Sequence, residues 1–142
     1  MTLNRKDRLR LNPFGSAAAA AAVALGLLGL VVGQDISQGM TNSLRGVAGP
    51  VAHLWGAELA AGGLLKLVGL YWQHSELETP GLWMLAGGYA FYSITVMVGL
   101  GVHGLAAGII SGALAVGCLV KVRVIMRSAR TAARESRERG EA

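Results

Sequence analysis

Residues 79–120 form a stretch of forty-two positions that contains no Asp, Glu, Lys or Arg. An α-helix needs about 20 apolar residues to cross a bilayer, so this stretch is long enough for two crossings joined by a turn. Only 15% of the whole chain is charged, against about 25% in ordinary soluble domains, and 53% is hydrophobic. These features exclude an ordinary soluble domain and predict an integral membrane protein.

The sequence also lacks polar–apolar alternation and has a single cysteine. A membrane barrel needs strands that alternate in this way, and without them the backbone in the hydrocarbon must be hydrogen-bonded in helices, which predicts an all-α fold. Because Cys118 stands alone, an intramolecular disulfide is excluded, and we expect Cys118 to act as a small packing residue.

Four hydrophobic segments predict a four-helix transmembrane bundle in a single integral membrane domain covering residues 1–142. The predicted helices cover about residues 14–33, 50–72, 81–99 and 104–122, and a basic tail follows over 123–142. Residues 35–49 are rich in Ser, Gly, Gln and Asn and are predicted to form a loop. A cleaved signal peptide is the alternative for the first segment, but its apolar run exceeds the usual core of about 7 to 15 residues, which favours an uncleaved anchor.

Basic residues gather at the two ends of the chain and predict its orientation. Seven Lys and Arg occur from Lys121 onward, and only Arg45 occupies the long loop. Four more precede the first helix, namely Arg5, Lys6, Arg8 and Arg10. By the positive-inside rule both termini are predicted to be cytoplasmic, in agreement with an even number of crossings. The aromatic residues expected at the cytoplasmic interface are Phe14, Tyr71, Trp72 and Trp83, with Trp55 nearer the outer surface.

The net charge of +5 raises the question of a nucleic-acid partner. The bases flank hydrophobic segments, where anionic lipid is the nearer counter-ion, so we expect the bilayer rather than nucleic acid to be the partner. The residues of the basic tail expected to face the anionic leaflet are Arg123, Arg127, Arg130 and Arg134. The same C-terminal tail is a candidate docking segment for a protein partner.

Glu58 and Lys66 form a candidate intramembrane polar site in the second segment. An ionisable residue within a crossing is by default a candidate for an ion or proton pathway. In the alternative interpretation, Glu58 lies at the interface in contact with water, and Lys66 extends its ammonium to the cytoplasmic side. The two residues are eight positions apart, roughly 12 Å along a helix axis, which is too far for a direct ion pair.

Glycine rows predict close helix packing. Gly104, Gly108 and Gly112 recur at four-residue spacing in the fourth segment, and Gly29 and Gly33 form a similar row in the first. Small residues at this spacing let membrane helices approach each other closely. The rows either pack within one bundle or form a surface for self-association.

No catalytic, cofactor or metal motif can be assembled from the sequence. It has no nucleophile with a neighbouring base, no paired carboxylates and no phosphate-binding loop, so we expect neither an enzyme nor a bound cofactor. The histidines are His53, His74 and His103. They are separated along the predicted helices and turns, so no metal site is expected.

The basic amino end, the short crossings and the charged tail over 123–142 resemble small phage membrane proteins of the holin type. The bias toward Ala, Gly, Val and Arg is typical of a high-GC bacterial or phage genome. The resemblance implies homo-oligomeric lesions or pores in the cytoplasmic membrane of a bacterium or a phage-infected host, and it transfers no functional residue. Holins most often have one to three crossings, fewer than the four predicted here.

Two other functions fit the same architecture. Small four-helix exporters also carry a glutamate within a crossing, so Glu58 could serve a proton-coupled transporter or channel. Those exporters carry it in the first helix and lack a basic tail. A third alternative is an accessory or scaffold subunit of a larger membrane complex, whose helices lean on partner chains.

Overall fold

The computed structural model describes residues 13–72 and 74–140, and every secondary-structure element in these ranges is helical. The α-helices are α1 (Pro13–Val32), α2 (Gln38–Ser43), α3 (Ala48–Trp72), α4 (Ser75–Leu100) and α5 (Leu105–Gly140). Two 3₁₀ turns, Gly33–Ile36 and Gly101–Gly104, follow α1 and α4. The basic residues Arg5, Lys6, Arg8 and Arg10 and the last two residues of the tail lie outside the described residues.

The long helices have the length and apolar composition needed to cross a membrane. This confirms the prediction of an all-α fold with helices of membrane-spanning length. The stretches that meet this criterion among the described residues are Pro13–Ile36, Ala48–Trp72 and Glu76–Arg137. The last of these contains α4, the 3₁₀ turn Gly101–Gly104 and α5. Gly101 has φ of +55° in this turn, a conformation that glycine adopts easily, and the chain reverses there.

Each long helix packs against the next in the order α1, α3, α4, α5, and neighbours run in opposite directions. The first and last of the four, α1 and α5, make at most slight contact with each other. The arrangement is therefore a row of antiparallel helices with one open side, between α1 and α5.

Small residues bring α1 and α3 together. The buried residues of α1 are Gly15, Ala19, Ala22, Gly26 and Gly29, at alternating spacings of four and three. A stripe at this spacing stays on one helix face, and this stripe meets Gly56 and Gly63 of α3. At this interface backbone lies against backbone, so the packing of α1 on α3 depends on the absence of side chains.

The predicted loop over 35–49 contains the short helix α2, which packs against α4. The Ser37 hydroxyl accepts a hydrogen bond from the Met40 N–H at 3.3 Å and caps α2. The Asn42 amide donates to the Gly99 carbonyl at 3.3 Å, which fixes α2 against the end of α4. This connection is therefore ordered by hydrogen bonds to its own backbone and to α4.

Two helix ends differ from the predicted bounds. The third predicted helix starts at about residue 81, but α4 begins at Ser75, because His74 lies at the N-cap and Glu76 and Glu78 in the first turn favour the positive end of the helix dipole. Pro80 is the sixth residue of α4, so its missing N–H removes one hydrogen bond of the second turn, but the helix continues through it. At the other end of the chain, α5 continues past the predicted crossing through the basic tail to Gly140.

Candidate functional site

The open side between α1 and α5 is a groove made of two adjoining cavities of about 460 Å³ and 540 Å³. Both cavities are lined by Phe14, Ala18, Tyr89, Ile110 and Leu114. Because they share these residues, the cavities form one continuous groove along the helices, which we call the α1–α5 groove. Its volume is in the range of small-molecule sites.

The walls of the α1–α5 groove follow from helical periodicity. On α5 the lining residues include Ile110, Leu114, Gly117 and Lys121, at spacings of three and four. On α1 they include Phe14, Ala18, Ala21 and Leu25, again at spacings of three and four. Such spacings keep one face of each helix toward the groove, and these faces are apolar except at Ser111 and Lys121.

Tyr89 of α4 stands where the two cavities adjoin. Its side chain is buried, and its hydroxyl donates a hydrogen bond to the Ala18 carbonyl of α1 at 3.2 Å. This bond links α4 to α1 across the base of the groove. Tyr89 therefore separates an end that contains Lys66 from an end that contains Trp55 and Tyr92.

Lys66 of α3 lies at the base of the groove and is only 4% exposed. Within the described residues its ammonium forms no hydrogen bond and no ion pair. The nearby carboxylate of Glu78 is instead paired with Lys121 of α5. Because a buried charge without a direct partner is costly, Lys66 is the residue of the groove that most needs a ligand.

Glu58, the other member of the predicted polar site, is not brought to Lys66. It is half-buried on α3 and faces Gly87 of α4, where its Oε1 lies 2.8 Å from the position a Cβ would take. It lines neither cavity of the α1–α5 groove. The groove therefore provides no substrate path beside Glu58 and does not support the proton-coupled transport hypothesis.

The predicted glycine rows lie against helices of the same chain. Gly104 and Gly108 face Val96 and Met97 of α4, and Gly112 faces the Ser93 hydroxyl. The Ser93 hydroxyl also donates to the Gly108 carbonyl at 2.7 Å. Gly29 faces Gly56, and Gly33 faces the His53 ring. In this arrangement both rows serve packing within one molecule.

The basic residues of the tail are exposed along α5. Arg123, Arg127 and Arg130 line a shallow surface depression with Met126, and Arg134 follows one turn further along the helix. They lie beyond Lys121, past the end of the groove. The tail therefore presents a row of cations outside the bundle.

No sequence pattern indicated that Tyr89, Gly117 and Lys121 line a groove. The spacing of Ile110, Leu114 and Gly117 would indicate a common helix face, but it does not show that the face is left uncovered. That property depends on α1 packing on α3 instead of on α5.

Comparisons of the chain with protein-family models, with curated proteins and with solved structures find no match. Function is therefore inferred from the geometry of this chain alone.

Proposed function

We propose that the chain is a multi-pass protein of the bacterial cytoplasmic membrane, with α1, α3, α4 and α5 each crossing once and both ends in the cytoplasm. Two observations support this topology. The start of α1 lies at the same end of the helix row as Lys121 of α5, and Tyr71 and Trp72 of α3 lie at this end too. The opposite end carries α2 and the turn Gly101–Gly104. The clustering of basic residues toward the first end supports a cytoplasmic location for that end.

We further propose that the chain permeabilises this membrane by holin-like assembly into lesions or pores. The observation that carries the proposal is that the described chain consists almost wholly of helices of spanning length, with apolar side chains over their outer surfaces. Outward-facing examples are Leu27, Leu28, Val31, Leu54, Ile94, Val98, Ile109 and Val116. The action of such a chain would take place within the bilayer plane.

Assembly would use these outer faces, because the two glycine rows are engaged within the molecule. Association of membrane helices through apolar side chains relies on van der Waals packing, which is individually weak and grows with copy number. A lesion that forms only after enough chains accumulate would fit this kind of contact.

Inducible expression in a bacterium tests this function. We expect a potential-sensitive dye to report loss of the membrane potential once the chain accumulates, with growth stopping at the same time. The matched control is a Gly56→Leu variant expressed at equal level, in which the membrane potential should persist. A Cβ at this position would lie 2.7 Å from the Gly26 carbonyl oxygen, so α1 cannot pack on α3 in this variant. Continued growth with an intact potential in cells that contain the inserted wild-type chain would rule the function out.

A further inference from the structure

We propose that the α1–α5 groove is a binding site for one anionic phospholipid, whose phosphate lies at Lys66 and whose acyl chain lies along the apolar walls. The proposal rests on the shape of the groove, on the buried ammonium at one end and on the charge balance there. It does not depend on membrane permeabilisation.

The charge at the Lys66 end favours an anion. Three charged side chains meet there, the two cations Lys66 and Lys121 with the single carboxylate of Glu78, so this end of the groove carries a net positive charge. A phosphate with no cation of its own would neutralise it. A zwitterionic headgroup would bring a further cation beside two lysines, so an anionic lipid such as phosphatidylglycerol fits better.

The remainder of the groove suits an acyl chain. Beyond Lys66 the lining side chains are almost all apolar, from Leu82 and Leu85 to Leu25 and Ile36. Lys66 and Trp55 mark the two ends on α3, eleven residues apart, which corresponds to roughly 16 Å along the helix. One leaflet of a bilayer has a hydrocarbon thickness of about 15 Å, so a single chain would run the length of the groove.

The depth of Lys66 also fits a headgroup. Lys66 lies six residues before Trp72, the last residue of α3, which is roughly 9 Å from the helix end. The groove opens sideways between α1 and α5, so a lipid of the adjacent leaflet could enter without leaving the membrane plane. The phosphate would then lie at the inner edge of the interface, within reach of the lysine stem.

Native mass spectrometry of the full-length chain in detergent tests the site. On titration with dioleoyl phosphatidylglycerol, we expect one molecule to bind about tenfold more tightly than dioleoyl phosphatidylcholine. Lys66→Met should remove this preference and Lys66→Arg should retain it. Arg127→Gln, which removes an exposed cation outside the groove, is the matched control and should leave the preference unchanged.

A second pair of variants tests the apolar part of the site. Apart from its chain neighbours and the adjoining backbone of α5, no atom of the described residues lies within 4 Å of a Cβ placed at Gly117, so Gly117→Leu directs its side chain into the groove. We expect it to weaken binding of both lipids. Val120→Phe enlarges an exposed position of α5 outside the groove and should bind as wild type.

Four outcomes would overturn the proposal. The first is equal binding of the two lipids by the wild-type chain. The second is unchanged lipid preference in Lys66→Met, with its helical circular dichroism intact. The third is displacement of phosphatidylglycerol by millimolar inorganic phosphate, which would show a free-phosphate site. A dimer that Gly117→Leu dissociates while lipid binding persists would assign the groove to a second copy of the chain and would likewise overturn it.

Discussion

At Gly56, α3 approaches α1 so closely that a methyl group has no space. A Cβ there would lie 2.7 Å from the Gly26 carbonyl oxygen and 2.8 Å from the Leu30 nitrogen, both backbone atoms. We expect Gly56→Ala to lower the free energy of unfolding by about 1–3 kcal/mol, because overpacking outweighs the helix preference of alanine.

Gly117→Ala is the matched control for this substitution. It makes the same chemical change at a position where no atom of another described helix lies within 4 Å of the new methyl group. We expect unchanged stability or a gain of up to about 1 kcal/mol. The measurement is unfolding by sodium dodecyl sulfate in mixed micelles, followed by circular dichroism. Equal effects of the two substitutions would show that α1 and α3 are not in close backbone contact.

Trp55 links α3 to α4 through its ring nitrogen and its face. The indole N–H donates to the Gly88 carbonyl at 2.9 Å, and the ring stacks on Tyr92 with centroids 5.3 Å apart. Trp55→Phe removes the hydrogen bond and part of the stacked area, so we expect a loss of about 1–2 kcal/mol in the same unfolding measurement. Trp83→Phe changes a residue that is 56% exposed and should stay within about 0.5 kcal/mol of wild type. A similar loss at both positions would contradict the buried placement of Trp55.

The surroundings of single residues were the least predictable from the sequence. Trp55 was predicted to lie nearer the outer surface, which stays a prediction, but no sequence pattern showed that its ring would be 4% exposed and packed against α4. Lys66 was predicted to extend toward the cytoplasm or to share a polar site with Glu58, and the sequence did not show that it would line a groove between α1 and α5. Eight residues turn a helix by about 80° beyond two full turns, so the two side chains face different neighbours. Which sector of α3 meets α1 or α4 depends on tertiary packing, which a helical pattern does not determine.

On the scale of helices, the ion pair between Glu78 and Lys121 joins the start of α4 to α5. The side chains of these residues are 13% and 29% exposed, so water screens the pair only partly. We expect a double-mutant cycle with Glu78→Gln and Lys121→Gln to give a coupling free energy of about 1–3 kcal/mol.

The two single substitutions should differ in size. Glu78→Gln leaves Lys66 and Lys121 without their shared counter-ion, whereas Lys121→Gln leaves Glu78 free to interact with Lys66. We therefore expect Glu78→Gln to be the more destabilising in detergent unfolding measured at low salt. A coupling energy near zero would mean that the pair does not join α4 to α5.

Helix existence was easier to predict than helix ends. The uncharged run over 79–120 predicted two helices with a reversal near 99–104, where the structure has the turn Gly101–Gly104. The predicted start at about residue 81 lies six residues after Ser75, because a proline ordinarily interrupts a helix interior, whereas α4 continues through Pro80. Helix α2 has only six residues, too short for a periodic pattern to distinguish it from a loop.

On the scale of the whole molecule, composition alone was sufficient for the fold class. Low charge and long apolar runs predicted an all-α chain with helices of spanning length. The same information could not reveal the open side between α1 and α5. Every long helix is apolar over much of its surface, so no amphipathic stripe indicates which face lacks a neighbour. The groove follows from the order of packing, which small residues on α1 and α3 determine.

The orientation of the molecule is tested by labelling single cysteines in a Cys118→Ala background. Asn42 and His103 are exposed at one end of the helix row, and Ser136 is exposed on α5 beyond the other end. In intact cells we expect a membrane-impermeant maleimide to label Asn42→Cys and His103→Cys, and to label Ser136→Cys only after the cells are opened. The reverse pattern would keep the crossings but contradict the positive-inside orientation. Labelling of Asn42→Cys and His103→Cys from opposite sides would contradict the fold itself, since the Asn42 amide bonds the Gly99 carbonyl beside that turn.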